Sequence, residues 1–254
     1  MTHIYYICTR ARGHAAAQWL RRWLYALVVC LLPLAASAQL GEPRSSFKYG
    51  VGGGVVLNNI GFSPSIKQKM HVGPSLGVVV RIDSEMYFKT LCALQAELNL
   101  TQLGWTEDIL NSQTQPLPDK YSRHLYYLQM PFLAHLAWGK ESNGLAGFLN
   151  LGPQIGFLLG EGSSKSSTWT LNAEGNPDRP NNRYAQYDME AENRFDYGIM
   201  GGVGLEWHNR LGHFSLEGRY YYGLADIFGN SKKDVFARSN NGTISIRLSY
   251  LMGK

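Results

Sequence analysis

The stretch Leu125 to Trp138, LYYLQMPFLAHLAW, alternates with period two. Tyr126, Leu128, Met130, Phe132, Ala134, Leu136 and Trp138 share one face, opposite Tyr127, Gln129, Pro131, His135 and Ala137. One face is continuously apolar and the other mixed, which predicts a strand between two different environments. The same period recurs downstream. Phe195, Tyr197, Ile199, Val203, Leu205 and Trp207 oppose Asp196, Gly198, Gly202, Gly204, Glu206 and His208. Phe214, Leu216, Tyr220 and Tyr222 oppose His213, Ser215, Glu217 and Arg219, and Ile244, Ile246, Leu248, Tyr250 and Met252 oppose Thr243, Ser245, Arg247 and Ser249.

Nearer the start, Val72, Leu76, Val78, Val80 and Ile82 oppose His71, Ser75 and Arg81, and Leu94, Ala96, Leu98 and Leu100 oppose Gln95, Glu97, Asn99 and Thr101. With the stretch around 49 to 57 and residues 146 to 159, the pattern predicts eight strands of about ten to fourteen residues. Connections are short at about 83 to 87, 139 to 144 and 209 to 212, and long at about 59 to 70, 104 to 121, 160 to 192 and 226 to 240. Short turns on one side and long loops on the other are the mark of an outer-membrane barrel, with the short side periplasmic.

A water-soluble sandwich also alternates, so the aromatic residues decide. Tyr49, Trp138, Phe148, Trp207, Phe214 and Tyr250 are expected on the apolar face near the lower interface, and Tyr126, Phe157, Tyr197 and Tyr222 near the upper one. Two girdles around an aliphatic band suit a lipid-facing wall, because rings with a polar handle prefer the headgroup level. The expected fold is all-β, an eight-stranded antiparallel up-and-down transmembrane β-barrel of the outer-membrane type. Each unpaired backbone group in hydrocarbon costs several kcal/mol, so the sheet must close on itself.

The first forty residues follow other rules. Arg10, Arg12, Arg21 and Arg22 precede the apolar run Trp23 to Ala36, and the small residues Ala36-Ser37-Ala38 follow. This predicts a cleaved signal peptide over 1–38, since the run is shorter than the roughly twenty residues a spanning helix needs. A short periplasmic segment, 39–45, and a barrel domain, 46–254, complete the expected organisation. Acylation at Cys30 is the weaker alternative, because bulky Val29 stands where a small residue is wanted.

Cleavage takes four of the 24 basic residues and none of the 19 acidic ones, so the net charge falls from +5 to 20 − 19 = +1. Charge therefore makes no case for nucleic acid. Of the three cysteines only Cys92 remains, expected as a small hydrophobe on the apolar face, so no intramolecular disulfide can form.

The glycine run YGVGGGVVLNN, 49 to 59, resembles a phosphate cradle, but Val55, Val56 and Leu57 follow it rather than a helix start or a P-loop lysine. Read as a strand, Gly50, Gly52 and Gly54 face inward beside Lys48 and leave room for side chains from opposite strands. An eight-stranded barrel is just wide enough for side chains to fill. The expected lumen network sets Lys48, Arg81, Arg219 and Arg247 against Glu97, Asp196, Glu206 and Glu217. His213, Ser215 and Glu217 invite a hydrolase reading, yet neighbours two apart on one strand are too far apart for a relay and no nucleophile elbow accompanies them. His71, His124, His135, His208 and His213 show no metal-binding spacing, so no catalytic residue, cofactor or metal is assigned. The loop 160–192 carries Trp169, Arg179, Arg183, Tyr184 and Tyr187, residue types favoured in binding patches, and is the candidate extracellular binding loop, the alternative being a solvated loop that shields the barrel mouth or meets surface polysaccharide nonspecifically.

The segments LQAELNLTQLG (94 to 104), YYLQMPFLAHLAWG (126 to 139), FLNLGPQIGFLLG (148 to 160), FDYGIMGGVGLEW (195 to 207) and LEGRYYYGLADIF (216 to 228) together resemble the PorT-like outer-membrane β-barrel family. The resemblance spans about 46 to 254. It implies an outer-membrane barrel and, for some members, an association with type IX secretion. The expectation is a monomer embedded in outer-membrane lipid, acting as a structural or binding module of the cell surface. The alternatives are an accessory role in secretion, with a secretion-complex partner, and a barrel enzyme acting on lipid or peptide.

Overall fold

The structure, a computed structural model, describes residues 42–140, 143–180, 184–231 and 234–253. The signal-peptide expectation, with Cys30, lies outside them. Among the described residues nine strands follow one another: β1 (Glu42–Ser63), β2 (Gln68–Lys69), β3 (His71–Tyr87), β4 (Thr90–Glu107), β5 (Tyr121–Gly139), β6 (Gly144–Lys165), β7 (Phe195–Asn209), β8 (Gly212–Asp226) and β9 (Arg238–Gly253). The two-residue β2 sits on β4 at the loop end, and the other eight pair antiparallel in the order β4-β3-β1-β9-β8-β7-β6-β5, with β5 returning to β4. First and last strands meet from Lys48↔Gly253 to Ser63↔Arg238. The ladder therefore has no open edge, the condition hydrocarbon imposes. Among the described residues no helix is long and apolar enough to cross a membrane.

Outward positions follow the predicted parity. Val51, Val78, Leu94, Phe132, Leu151, Val203, Leu216 and Ile246 are all exposed on the wall. Tyr49, Trp138 and Trp207 stand out near the short-turn end, with Tyr250 half-buried beside them and its hydroxyl donating to the Leu211 carbonyl at 2.6 Å. Tyr126, Tyr197 and Tyr222 are exposed toward the long-loop end. Cys92 lies half-buried on the outward face.

The eight ring strands run to 15–22 residues, longer than the hydrophobic pattern predicts. The reason is an inversion. Past the apolar belt the outward residues turn polar at Asn59, Gln102 and His124, while the inward ones turn apolar at Ile60, Phe62, Leu103, Trp105 and Leu125. The ladder continues through this change, because backbone pairing does not depend on which face is greasy.

Two local expectations need correction. The first tight turn is Phe88-Lys89 rather than 83 to 87: β3 runs on to Tyr87 through a register shift between Asp83 and Glu85, and Phe88 takes φ 55°. Phe148 points inward and is buried with Leu91 and Ala137. Positions 148 and 157 are an odd number apart, so one unbulged strand cannot turn both to lipid, and Phe157 has the outward place.

Candidate functional site

The lumen is organised around Arg219 on β8. Its Nη2 donates to Glu97 Oε1 at 2.7 Å and to Glu217 Oε2 at 2.7 Å, and its Nη1 donates to Glu97 Oε2 at 2.8 Å. A planar fork on a carboxylate is the geometry in which arginine makes its strongest charge-assisted bonds. Glu97 also accepts from Gln95 Nε2 at 2.6 Å and Asn99 Nδ2 at 2.9 Å, and Arg247 Nε lies 3.6 Å from it. Below, Arg81 bridges Gln95 Oε1 at 2.9 Å and Glu206 Oε2 at 2.6 Å, and Lys48 reaches Asp83 at 2.8 Å. Asp196 stands apart, taking a hydrogen bond from Asn241 Nδ2 at 3.2 Å.

The structure thus brings Lys48, Arg81, Glu97, Glu206, Glu217, Arg219 and Arg247 into linked pairs and leaves Asp196 higher in the lumen. Sequence reasoning missed Asp83, although Arg81 and Asp83 share a parity that places both inside. A cavity of about 30 Å³ lies between Asn99, Gln129, Gln154, Arg219 and Arg247, room for a water or two. The glycines act mostly on the neighbouring strand rather than the opposite wall: a Cβ on Gly52 would lie 2.6 Å from the Arg247 guanidinium, and one on Gly54 would run into the Ile246 carbonyl.

The hydrolase arrangement does not assemble. His213 Nδ1 faces Glu206 Oε1 at 3.5 Å, while Glu217 is held by Arg219 and by Asn150 Nδ2 at 2.8 Å. The metal expectation changes, however: the β7–β8 hairpin gathers Glu206, His208 and His213, with one ligand atom of each within 4.8 Å of the others.

Above the belt, Phe62, Trp105, Tyr121, Leu125, Phe228 and Phe236 form a buried apolar core inside the ring. Phe62 meets the Trp105 ring at 5.3 Å and the Phe236 ring at 4.9 Å. The loops close over it. Arg179 Cζ lies 4.9 Å from the centre of Trp169 and 5.5 Å from that of Tyr187, and the two rings stack at 4.8 Å. Arg179 also donates to Tyr187 Oη at 2.9 Å and to Asp119 Oδ2 at 3.1 Å. Tyr187 in turn donates to Glu107 Oε2 at 2.7 Å, and Gln186 Nε2 to Glu107 Oε1 at 3.2 Å. Burial pushes the Glu107 carboxyl above its usual range, against the pull of Tyr187 and Gln186, and burial likewise raises the Tyr187 phenol.

The candidate binding patch is therefore turned inward. Arg179 and Tyr187 are buried, Trp169 and Tyr184 pack against the apolar core, and Arg183 lies outside the described residues. Aromatic and arginine side chains suit a binding surface, but here one long loop uses them to anchor itself.

A family model described as "Outer membrane protein beta-barrel domain" matches residues 37–229. In sequence, no curated protein matches the chain. Among solved structures the chain is similar to Ail, the attachment invasion locus protein of Yersinia pestis, in complex with the heparin analogue sucrose octasulfate, at 11% identity over 81% of this chain and 99% of that one, TM-score 0.36. It is also similar to OprG from Pseudomonas aeruginosa, at 14% identity over 84% and 98% and TM-score 0.40, and to the N-terminal β-barrel domain of Pseudomonas aeruginosa OprF, at 10% over 83% and 100% and TM-score 0.34. With a closed ring of strands wearing an apolar belt and a family match over most of its length, this chain belongs to the outer membrane protein β-barrel domain family and is an outer-membrane β-barrel protein.

Proposed function

We propose that this barrel is a non-conducting module of the cell surface whose work is done on the extracellular side, by the outer surface of its loops. The observation that carries the reading is the double seal: an ion-paired lumen below and an apolar core roofed by loops above. No catalytic residue, cofactor or nucleic-acid partner belongs to this reading, and the barrel works as a monomer in outer-membrane lipid. The aromatic residues Tyr49, Trp138, Trp207 and Tyr250 below, with Tyr126, Tyr197 and Tyr222 above, set its depth in the bilayer. Exposed candidates for contact are the hairpin tips around Thr114 and Glu174 and the half-exposed Leu171.

Two measurements test this reading. Reconstituted into planar bilayers, the protein gives no large steady openings, and their appearance would overturn the sealed-lumen claim. Trypsin applied to intact cells cuts after exposed Lys120, Lys165 or Arg194 and spares Arg210 in the tight β7–β8 turn. Cutting at Arg210 would invert the orientation.

The PorT-like sequence segments favour a second reading, an accessory role in protein secretion. It requires a stable partner, so the tagged barrel extracted in mild detergent would carry secretion components with it. Isolation of the barrel alone would leave the surface-module reading standing.

A further inference from the structure

At the short-turn end of the barrel the hairpin β7–β8 closes through Arg210 and Leu211, and Asn209 Oδ1 pins that turn by accepting from the amides of Leu211 at 2.8 Å and Gly212 at 3.0 Å. The register sets His208 directly opposite His213, with the two rings edge to face at 4.6 Å. Glu206 lies two residues earlier on the same inward face as His208. Its Oε1 is 3.4 Å from His208 Nε2 and 3.5 Å from His213 Nδ1.

Those separations have a meaning in coordination chemistry. Ligand atoms about 2.0–2.2 Å from a tetrahedral ion sit roughly 3.4 Å from one another, so the two Glu206–histidine distances match edges of such a tetrahedron. Glu206 Oε1 and His213 Nδ1 are buried atoms that make no hydrogen bond, although Glu206 is only 1% exposed. Lone pairs in that position are costly unless something answers them. The other Glu206 oxygen is fixed by Arg81 at 2.6 Å, the kind of outer contact that orients a ligating carboxylate. The neighbouring cations are engaged: Arg81 with Glu206 Oε2 and Lys48 with Asp83 at 2.8 Å. His213, at 14% side-chain exposure, opens the cluster toward the barrel's lower end.

We propose that Glu206, His208 and His213 form a binding site for a borderline divalent transition ion of the zinc class. Two imidazoles and one carboxylate select such an ion over calcium or magnesium, which demand all-oxygen shells. Three protein ligands leave a fourth position for water. The ion ties the β7–β8 hairpin to the Arg81 network and neutralises a buried carboxylate oxygen that makes no hydrogen bond.

The test uses the mature chain folded in detergent micelles and stripped with chelator. Zinc titration gives saturable binding at one ion per chain, and cobalt substituted for it gives the intense visible absorption of a four-coordinate site. His208→Ala and His213→Ala each weaken zinc binding about tenfold or more, whereas His124→Ala on the opposite end leaves it unchanged. Should His213→Ala fail to fold, His213→Gln with retained heat-modifiable gel mobility carries the comparison. Zinc raises the thermal midpoint of the parent chain and not of the folded variants. No saturable binding below roughly 100 µM, binding indifferent to both histidine changes, or only the weak bands of six-coordinate cobalt would overturn the site.

Discussion

The barrel holds two interiors inside one ring of strands. In the belt the wall is apolar outside and charged inside, where the single side chain of Arg219 bonds to two carboxylates. A few residues further along the same strands the wall is polar outside and the inside is Trp105, Phe62 and Phe228. The difference teaches that solvent, rather than secondary structure, sets the sign of the pattern. Lipid takes up hydrocarbon and drives polar groups into the lumen, and water above the membrane restores the order of a soluble core.

The comparison breaks first at Arg219. Changing it to Met strands Glu97 and Glu217 in the lumen and costs about 3–5 kcal/mol, read from urea unfolding in bilayers by gel mobility. Adding Glu97→Gln and Glu217→Gln to that variant recovers most of the loss. If Arg219→Met alone unfolds like the parent chain, the lumen network is ornament.

Trp105→Ala is the matching cut in the upper core and costs about 3 kcal/mol. Its effect stays local: the loop around Lys165 and Arg194 becomes more sensitive to trypsin, while the barrel keeps its heat-modifiable mobility. Loss of the whole fold would mean the two interiors are one cooperative unit.

Arg179→Ala removes the cation from the Trp169–Tyr187 stack and leaves Asp119 to its Thr170 bonds without a guanidinium, loosening the roof by about 2 kcal/mol, measured by hydrogen exchange of the residues around Thr170.

Smallest is the acid response of Glu107. Burial raises its folded-state pKa, so the roof is firmest at low pH and loses stability as pH rises through that raised value. Tryptophan fluorescence of the denaturant-loosened roof, followed from about pH 4 to about pH 8, shows the slope. Glu107→Gln keeps an acceptor for Tyr187 and flattens it.

Much of this was legible in the sequence, because parity is a strict rule. Arg81, Glu97, Glu206, Glu217, Arg219 and Arg247 could be sent inward by counting alone. The limits have physical causes as well. Looking for apolar residues outside stops finding strand where the solvent changes, which shortened β1, β4 and β6. Phe148 was misplaced by weighing its chemistry above its parity. The loop cluster of Trp169, Arg179 and Tyr187 has the composition of a surface patch, and only tertiary packing decides that it faces down. His208 and His213, five positions apart, meet because the turn between them is two residues long, a register that residue spacing alone does not announce.

The seam between β1 and β9 has a consequence for biogenesis. The first crossing gains β3 on one side early, but its other neighbour is β9, the last strand made, so the ring cannot close strand by strand as the chain grows. A nascent molecule truncated before Arg238 would reach the bilayer with two raw margins, and the assembly machinery must shelter both until the cylinder zips shut.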